Sequence, residues 1–107
     1  MSVITRYMPK KDDFRKEGKV GTKKVRYNND GISQLPNEKP VLYRIETENG
    51  TLNYAGTAKR GGVRERIAEH FGEIPGAIVR IEQFSSIQDA IKKETNVIKR
   101  QKPRYNK

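Results

Sequence analysis

Glu94 is the first residue whose position asks for a chemical explanation. The apolar residues Ile87, Ala90, Ile91, Val97 and Ile98 recur at helical spacing. At ~100° per residue, Glu94 falls between Ala90 and Ile91 in angle and close to Ile98. A carboxylate inside an apolar stripe costs several kcal/mol, or takes up a proton, unless a cation meets it. That cation is either an arginine from another element, which makes a structural pair, or a metal ion. Arg66 and His70 form a second group: four residues apart, they share one edge of the helical face made by Val63, Ile67 and Phe71. An arginine there can grip a phosphate with two hydrogen bonds, and a histidine can donate to a phosphate or carry a proton. Taken alone, His70 reads as a half-buried histidine at a helix end. Tyr43 and Tyr54 flank the Asn49-Gly50 pair. They are either packing residues or, if on one sheet face, two phenols aimed at one pocket. Gly56 would let the backbone come close to a ligand.

The elements that must carry these residues follow from the pattern. Residues 41–46, Val-Leu-Tyr-Arg-Ile-Glu, are rich in strand formers. Residues 48–51 make a hairpin turn, since Asn-Gly supplies the positive φ such a turn needs, and 52–56 return as a second strand. The spacing predicts a helix over 63–71, preceded by Gly61-Gly62 and ended by Gly72. A third strand is expected over 77–84. Ser85 or Ser86 can cap a last helix running from about 87 to 99, with Pro103 at or beyond its end. The segment 1–39 reads differently. It is basic, poor in large apolar residues, and carries the doublets Lys10-Lys11 and Lys23-Lys24. It is expected to be a basic N-terminal arm with at most a short helix or hairpin, or a disordered leader. The ordered core is expected to begin near Pro40.

Composition narrows the function. The chain has 107 residues, enough for one domain, of which 33% are hydrophobic and 34% charged. Its formal net charge of +10 makes a positive field whose commonest partner is nucleic acid, followed by an anionic membrane surface. No apolar run approaches the ~20 residues of a membrane span, and no basic helix carries the bulky apolar face of a surface-bound one. There is no cysteine, which excludes disulfides and thiolate zinc sites. The first residues lack the apolar stretch of a signal peptide, so a cytoplasmic (intracellular) protein with no membrane partner is expected. A non-enzymatic nucleic-acid-binding protein and a structural component of a nucleoprotein particle are the rival readings.

Taken in order, these residues resemble the GIY-YIG nuclease family over 41–107. The first motif appears as Val41-Leu42-Tyr43, keeping only the tyrosine, and the second as Tyr54-Ala55-Gly56. Arg66 and His70 match the helix arginine and a polar residue four later. Glu94 matches the metal-binding glutamate of the last helix, and Pro103-Arg104-Tyr105-Asn106 closes the pattern. Arg66 is taken as the family arginine in preference to Arg64, which would point further round toward solvent.

The resemblance implies an α+β fold, a small three-stranded antiparallel sheet flanked by helices, occupying 40–107 behind the basic arm of 1–39. It implies a metal-dependent DNA endonuclease of restriction, phage or mobile-element type, leaving 5′-phosphate and 3′-hydroxyl ends. The implied catalytic residues are Tyr43, Tyr54, Arg66, His70, Glu94 and Asn106, with Mg²⁺ (or Mn²⁺) on Glu94. In that scheme Tyr43 is the base and His70 the alternative base. Arg66 balances charge on the phosphate, while Tyr54 and Asn106 orient phosphate or water. Double-stranded DNA is the expected partner, held by the arm and by Lys59, Arg60, Arg64, Lys99, Arg100, Lys102 and Arg104. Cutting both strands with one site per chain favours a homodimer or higher homo-oligomer, or sequential nicking.

Overall fold

The hairpin is the seed of the architecture. In the computed structural model, which describes residues 19–106, Gly50 takes φ 90°, a conformation glycine adopts without steric cost. Thr47 N–H donates to Thr51 O at 3.0 Å and the Gly50 N–H to Thr47 O at 3.0 Å. The turn joins two strands, which we label β2 (Val41–Glu46) and β3 (Leu52–Ala58). They are preceded by β1 (Lys19–Arg26) and the short helix α1 (Asn29–Ser33). They are followed by α2 (Val63–Ala68), β4 (Ile78–Phe84) and α3 (Ile87–Gln101). The strands form one antiparallel sheet in the order β1-β4-β2-β3.

The α+β class, the antiparallel sheet and the flanking helices are as expected, but among the described residues the sheet has four strands rather than three. The extra strand comes from the segment read as an arm, and the core does not begin at Pro40. β1 pairs with β4 along its length, with Val25 opposite Val79 and Lys23 opposite Ile81. Val25, Ile32 and Leu35 are buried in the same cluster as Tyr43 and Ile67. Tyr27 fastens the segment further: its hydroxyl donates to Ile74 O at 2.9 Å, and its ring lies 5.0 Å from that of Phe71. β1 escapes pattern reading because, among the described residues, it is an edge strand, and lysines are the usual guard of an edge. The doublet Lys10-Lys11 and the rest of 1–18 lie outside the described residues.

The sheet is covered on both faces. Tyr43, Ile45, Val79 and Ile81 pack with Val63 and Ile67 of α2 and with α1. Leu42, Ala55 and Phe84 pack under Ala90 and Val97 of α3. β2 is central and buried on both faces, which explains its nearly unbroken apolar run. α2 is shorter than the expected 63–71. Beyond Ala68 the chain tightens, with His70 N–H bonding Ile67 O and Phe71 N–H bonding Ala68 O, both at 3.1 Å. Such three-residue closures end many helices. Its start is capped from a distance, where Asn37 Oδ1 accepts from Val63 N–H at 2.9 Å. Ser86 caps α3 by accepting from Asp89 N–H at 3.2 Å. Lys102 then turns left-handed at φ 47°, and Pro103 follows.

β3 is the outer strand on the far side of the sheet, and the C-terminal segment closes it. Tyr105 N–H donates to Asn53 O at 2.7 Å. Asn106 both accepts from Ala55 N–H and donates to Ala55 O, each at 2.9 Å. The carboxamide thus takes the place of a neighbouring strand.

Because Leu35 is fully buried, Leu35→Ala should lower unfolding free energy by about 2–5 kcal/mol, as core truncations do. A urea titration measures this. An unchanged midpoint would mean that 19–39 is not part of the folded unit.

Candidate active site

Strand register brings the two tyrosines together. Tyr43 lies opposite Gly56, and Ile45 opposite Tyr54, so both phenols stand on the face that α2 covers. Tyr43 is fully buried and Tyr54 is half-buried, with ring centres 6.1 Å apart. Gly56 is required by this arrangement. A Cβ built there would sit 2.6 Å from the Tyr43 hydroxyl oxygen and 3.0 Å from the Tyr54 ring.

α2 and the turn after it close over the phenols. His70 is 9% exposed, and its Nε2 lies 2.7 Å from the Tyr43 hydroxyl. Its ring centre is 4.6 Å from that of Tyr54. Burial first, and the nearby Arg66 charge second, push His70 below the ordinary histidine value. It is therefore neutral at pH 7, and Nε2 can accept the tyrosine proton. Burial also pushes the Tyr43 phenol well above its usual value, while Arg66 pulls the other way. Desolvation outweighs the pull of Arg66, and Tyr43 rests protonated.

Arg66 is the charged centre of the group. It lies beside Tyr43 and acts on it and on Tyr54 electrostatically, and its ion pair with Glu69 is loose at 3.6 Å. With its guanidinium side chain half exposed, it can turn toward an incoming anion. Glu94 faces it from α3. Burial raises the Glu94 carboxyl above its usual value and Arg66 partly offsets this. Among the described residues Glu94 makes no side-chain hydrogen bond or ion pair. The expected apolar stripe is also less buried than its spacing suggested. Ala90 and Val97 are core, Ile87, Glu94 and Ile98 are half-buried, and Ile91 is 46% exposed. The stripe runs along the rim of the helix contact, which leaves Glu94 within reach of solvent.

The rotation of α3 is held by charge. Lys93, next to Glu94, pairs with Glu82 of β4 at 3.1 Å, and Arg44 of β2 pairs with the same carboxylate at 3.0 Å. Burial works to raise Glu82, yet the two cations together hold it below the usual carboxylate range.

Tyr43, Tyr54, Arg66, His70 and Glu94 therefore share one neighbourhood. The carboxamide of Asn106 is instead engaged with the Ala55 backbone on both sides. Ala55 lies on the strand between Tyr54 and Gly56. Arg64 is anchored as well, its Nε donating to Leu35 O at 2.7 Å. Lys59 and Arg60 are exposed in the loop after β3, and Lys99, Arg100, Lys102 and Arg104 are exposed at and beyond the end of α3. Beside Arg66 a cleft of about 350 Å³ opens, lined by Thr57, Ala58, Lys59, Gly62, Ile87 and Ile91. Sequence reasoning missed its apolar wall, since an isoleucine at helical spacing signals core.

Gly56→Ala should force the Tyr43 ring off its seat. Overpacking of this kind costs about 1–3 kcal/mol, readable as a lowered urea midpoint. An alanine variant as stable as the parent would show that the tyrosine is not fixed by this contact.

No family model matches the chain, but curated relatives do. UvrABC system protein C of Bacteroides fragilis is 36% identical over 86 aligned residues, which cover 70% of this chain and 14% of the relative. That of Bacteroides thetaiotaomicron is 34% identical over the same extent. The chain thus spans 14% of the length of the curated relatives it matches. Within the described residues no helix is long and apolar enough to cross a membrane. With the ordered tyrosine, glycine, arginine and glutamate motifs carried on this antiparallel sheet, and with this relatedness, the chain belongs to the GIY-YIG nuclease family.

Proposed function

We propose that the chain is a metal-dependent endonuclease that hydrolyses phosphodiester bonds of double-stranded DNA, leaving 5′-phosphate and 3′-hydroxyl ends. The observation that carries this reading is the 2.7 Å contact between a buried tyrosine and a neutral histidine, set beside Arg66 and a glutamate with no partner among the described residues.

Glu94 fits a hard cation. It is a half-buried acid with no partner among the described residues, and magnesium is commonly held by one or two carboxylates plus substrate oxygens. No group of three metal-ligating side chains occurs among the described residues, so Glu94 would be the protein's contribution. When bound, Mg²⁺ or Mn²⁺ would supply a Lewis acid at the scissile phosphate.

The protein's own residues do the rest. His70 Nε2 accepts the Tyr43 proton as the Tyr43 oxygen takes one from the attacking water, so the pair acts as a single base. Arg66 leaves its loose contact with Glu69 to balance the charge that builds on phosphorus. Tyr54, packed against His70, supplies a hydroxyl to orient the phosphate. Asn106 holds the strand that carries Tyr54. Lys59, Arg60, Arg64, Lys99, Arg100, Lys102 and Arg104, together with the basic N-terminal segment, supply phosphate contacts. Both strands are cut by a homo-oligomer or by sequential nicking. A cytoplasmic location suits this substrate.

Purified protein should cleave plasmid DNA with Mg²⁺ and stop on chelation. Glu94→Ala should lose this activity by about 10²-fold or more while DNA binding persists. Cleavage by Glu94→Ala at the parent rate would remove the metal assignment, and metal-independent binding without any cleavage would leave a nucleic-acid-binding protein instead. The base pair also sets a pH dependence. His70 must be neutral to accept a proton, and its value is lowered, so kcat/KM should rise with pH along an acid limb centred below the ordinary ~6.5. Tyr43→Phe should reduce turnover by about 10²–10⁴-fold. An acid limb centred above that value, or full activity in Tyr43→Phe, would break the proposed relay.

A further inference from the structure

Ile91 is the anomaly that the catalytic reading leaves over. It is 46% exposed, although most large apolar side chains of the described residues are buried or half-buried. It stands three residues before Glu94 on α3, roughly 4.5 Å along the axis at 1.5 Å per residue, and those two positions face the same side of a helix. With Ile87 it forms one wall of the cleft of about 350 Å³ whose other wall carries Lys59 and Arg66. The cleft therefore has a cationic side and an apolar side, and it opens about one helical turn from the catalytic group.

That pairing of walls selects its occupant. Lys59 and Arg66 attract a phosphodiester, but a phosphate gives an isoleucine nothing to cover. The part of a nucleic acid that an apolar wall can desolvate is the sugar and the face of the base. In an intact duplex that face is stacked on its neighbours. Aliphatic side chains placed against DNA commonly act as wedges between base steps.

We propose that Ile91, backed by Ile87, receives an unstacked nucleotide adjoining the scissile phosphate. The preferred substrate is then DNA with an unpaired or helically distorted site, and intact duplex is the poorer one. The proposal rests on the nuclease reading for the position of the scissile phosphate. Opening a paired base costs free energy that a mismatch or single-stranded site has already supplied. DNA with a short mismatched bubble should therefore be cut with a kcat/KM about tenfold or more above that of the matched duplex. Ile91 lies at the surface, so Ile91→Ser should fold normally. It should lower that preference by about fivefold or more, while the metal requirement and the acid limb of the pH profile stay unchanged.

A binding experiment separates the two claims. A duplex carrying the fluorescent base 2-aminopurine, moved stepwise past the cut site, is titrated with the full chain in Ca²⁺, and then with Ile91→Ser. The expected result is a fluorescence rise at one position beside the cut, absent or several-fold smaller with Ile91→Ser at saturating protein. Cleavage without any such rise, or equal cleavage of bubble and matched duplex, would overturn the proposal and leave the nuclease reading standing. A rise that depends on Ile91 in a protein that never cleaves would sustain the unstacking site and overturn the nuclease reading. An undiminished rise with Ile91→Ser would also overturn the assignment to this side chain.

Discussion

Everything at the site depends on the pairing of Tyr43 with Gly56 across β2 and β3. A glycine opposite a tyrosine gives the ring room to lie flat over the neighbouring strand, which places its hydroxyl under His70 and its edge beside Tyr54. A slip of one residue would turn both phenols to the α3 face and bring Leu42 and Ala55 to the α2 face. Two devices resist that slip. The Asn49-Gly50 turn sets the register from one end, with Gly50 in a conformation few other residues adopt. Asn106 grips Ala55 from outside the sheet, between the two motif residues it must keep in place.

Burial then divides the site into a dry part and a wet part, and the division assigns the chemistry. Tyr43 and His70 are desolvated, so each is held neutral: the phenol is pushed up and the imidazole down. Two neutral groups joined by one short hydrogen bond can pass a proton with no standing charge to stabilise. Arg66 and Glu94 lie nearer to water, where a guanidinium and a carboxylate can be exchanged between each other, an incoming phosphate and a cation. Arg66 acts on both halves, lowering the proton affinity of His70 and offsetting the burial of Glu94. Its own contact with Glu69 is long enough to be given up.

Much of this was legible in the residues. The hairpin, the last strand and α3 follow from Asn-Gly, from β-branched runs and from a capping serine, because each is a local signal. The tyrosines, Arg66, His70 and Glu94 could be grouped because spacing on a strand or helix fixes which face a residue occupies. What stayed hidden depends on contacts distant in sequence. β1 carries few apolar side chains and becomes a strand by completing β4, whose apolar residues supply the partner surface. Asn106 looked like a polar group free to touch substrate, and only the position of the C-terminal segment beside an edge strand shows what its carboxamide bonds. Arg64 likewise has a carbonyl of Leu35 to hold, contributed by the segment that pattern reading placed outside the core. Ile91 matched the helical period of its buried neighbours, and period alone cannot report that the sheet stops short of it.

The same shortfall leaves Glu94 within reach of solvent. An α3 laid fully over the sheet would bury Glu94 among Ile91 and Ile98, and desolvation would leave it protonated. The helix instead seats Ala90 and Val97 on the sheet, and its Lys93 pairs with Glu82, a carboxylate that Arg44 holds from the neighbouring strand. With Lys93 on the sheet side, the adjacent Glu94 faces Arg66 of α2 and the earlier Ile91 lines the cleft. Buried ion groups of this kind contribute little net stability and are better explained by the arrangement they select. The charge cluster on the α3 face of the sheet thus sets which side chains α3 offers to the face where the tyrosines lie.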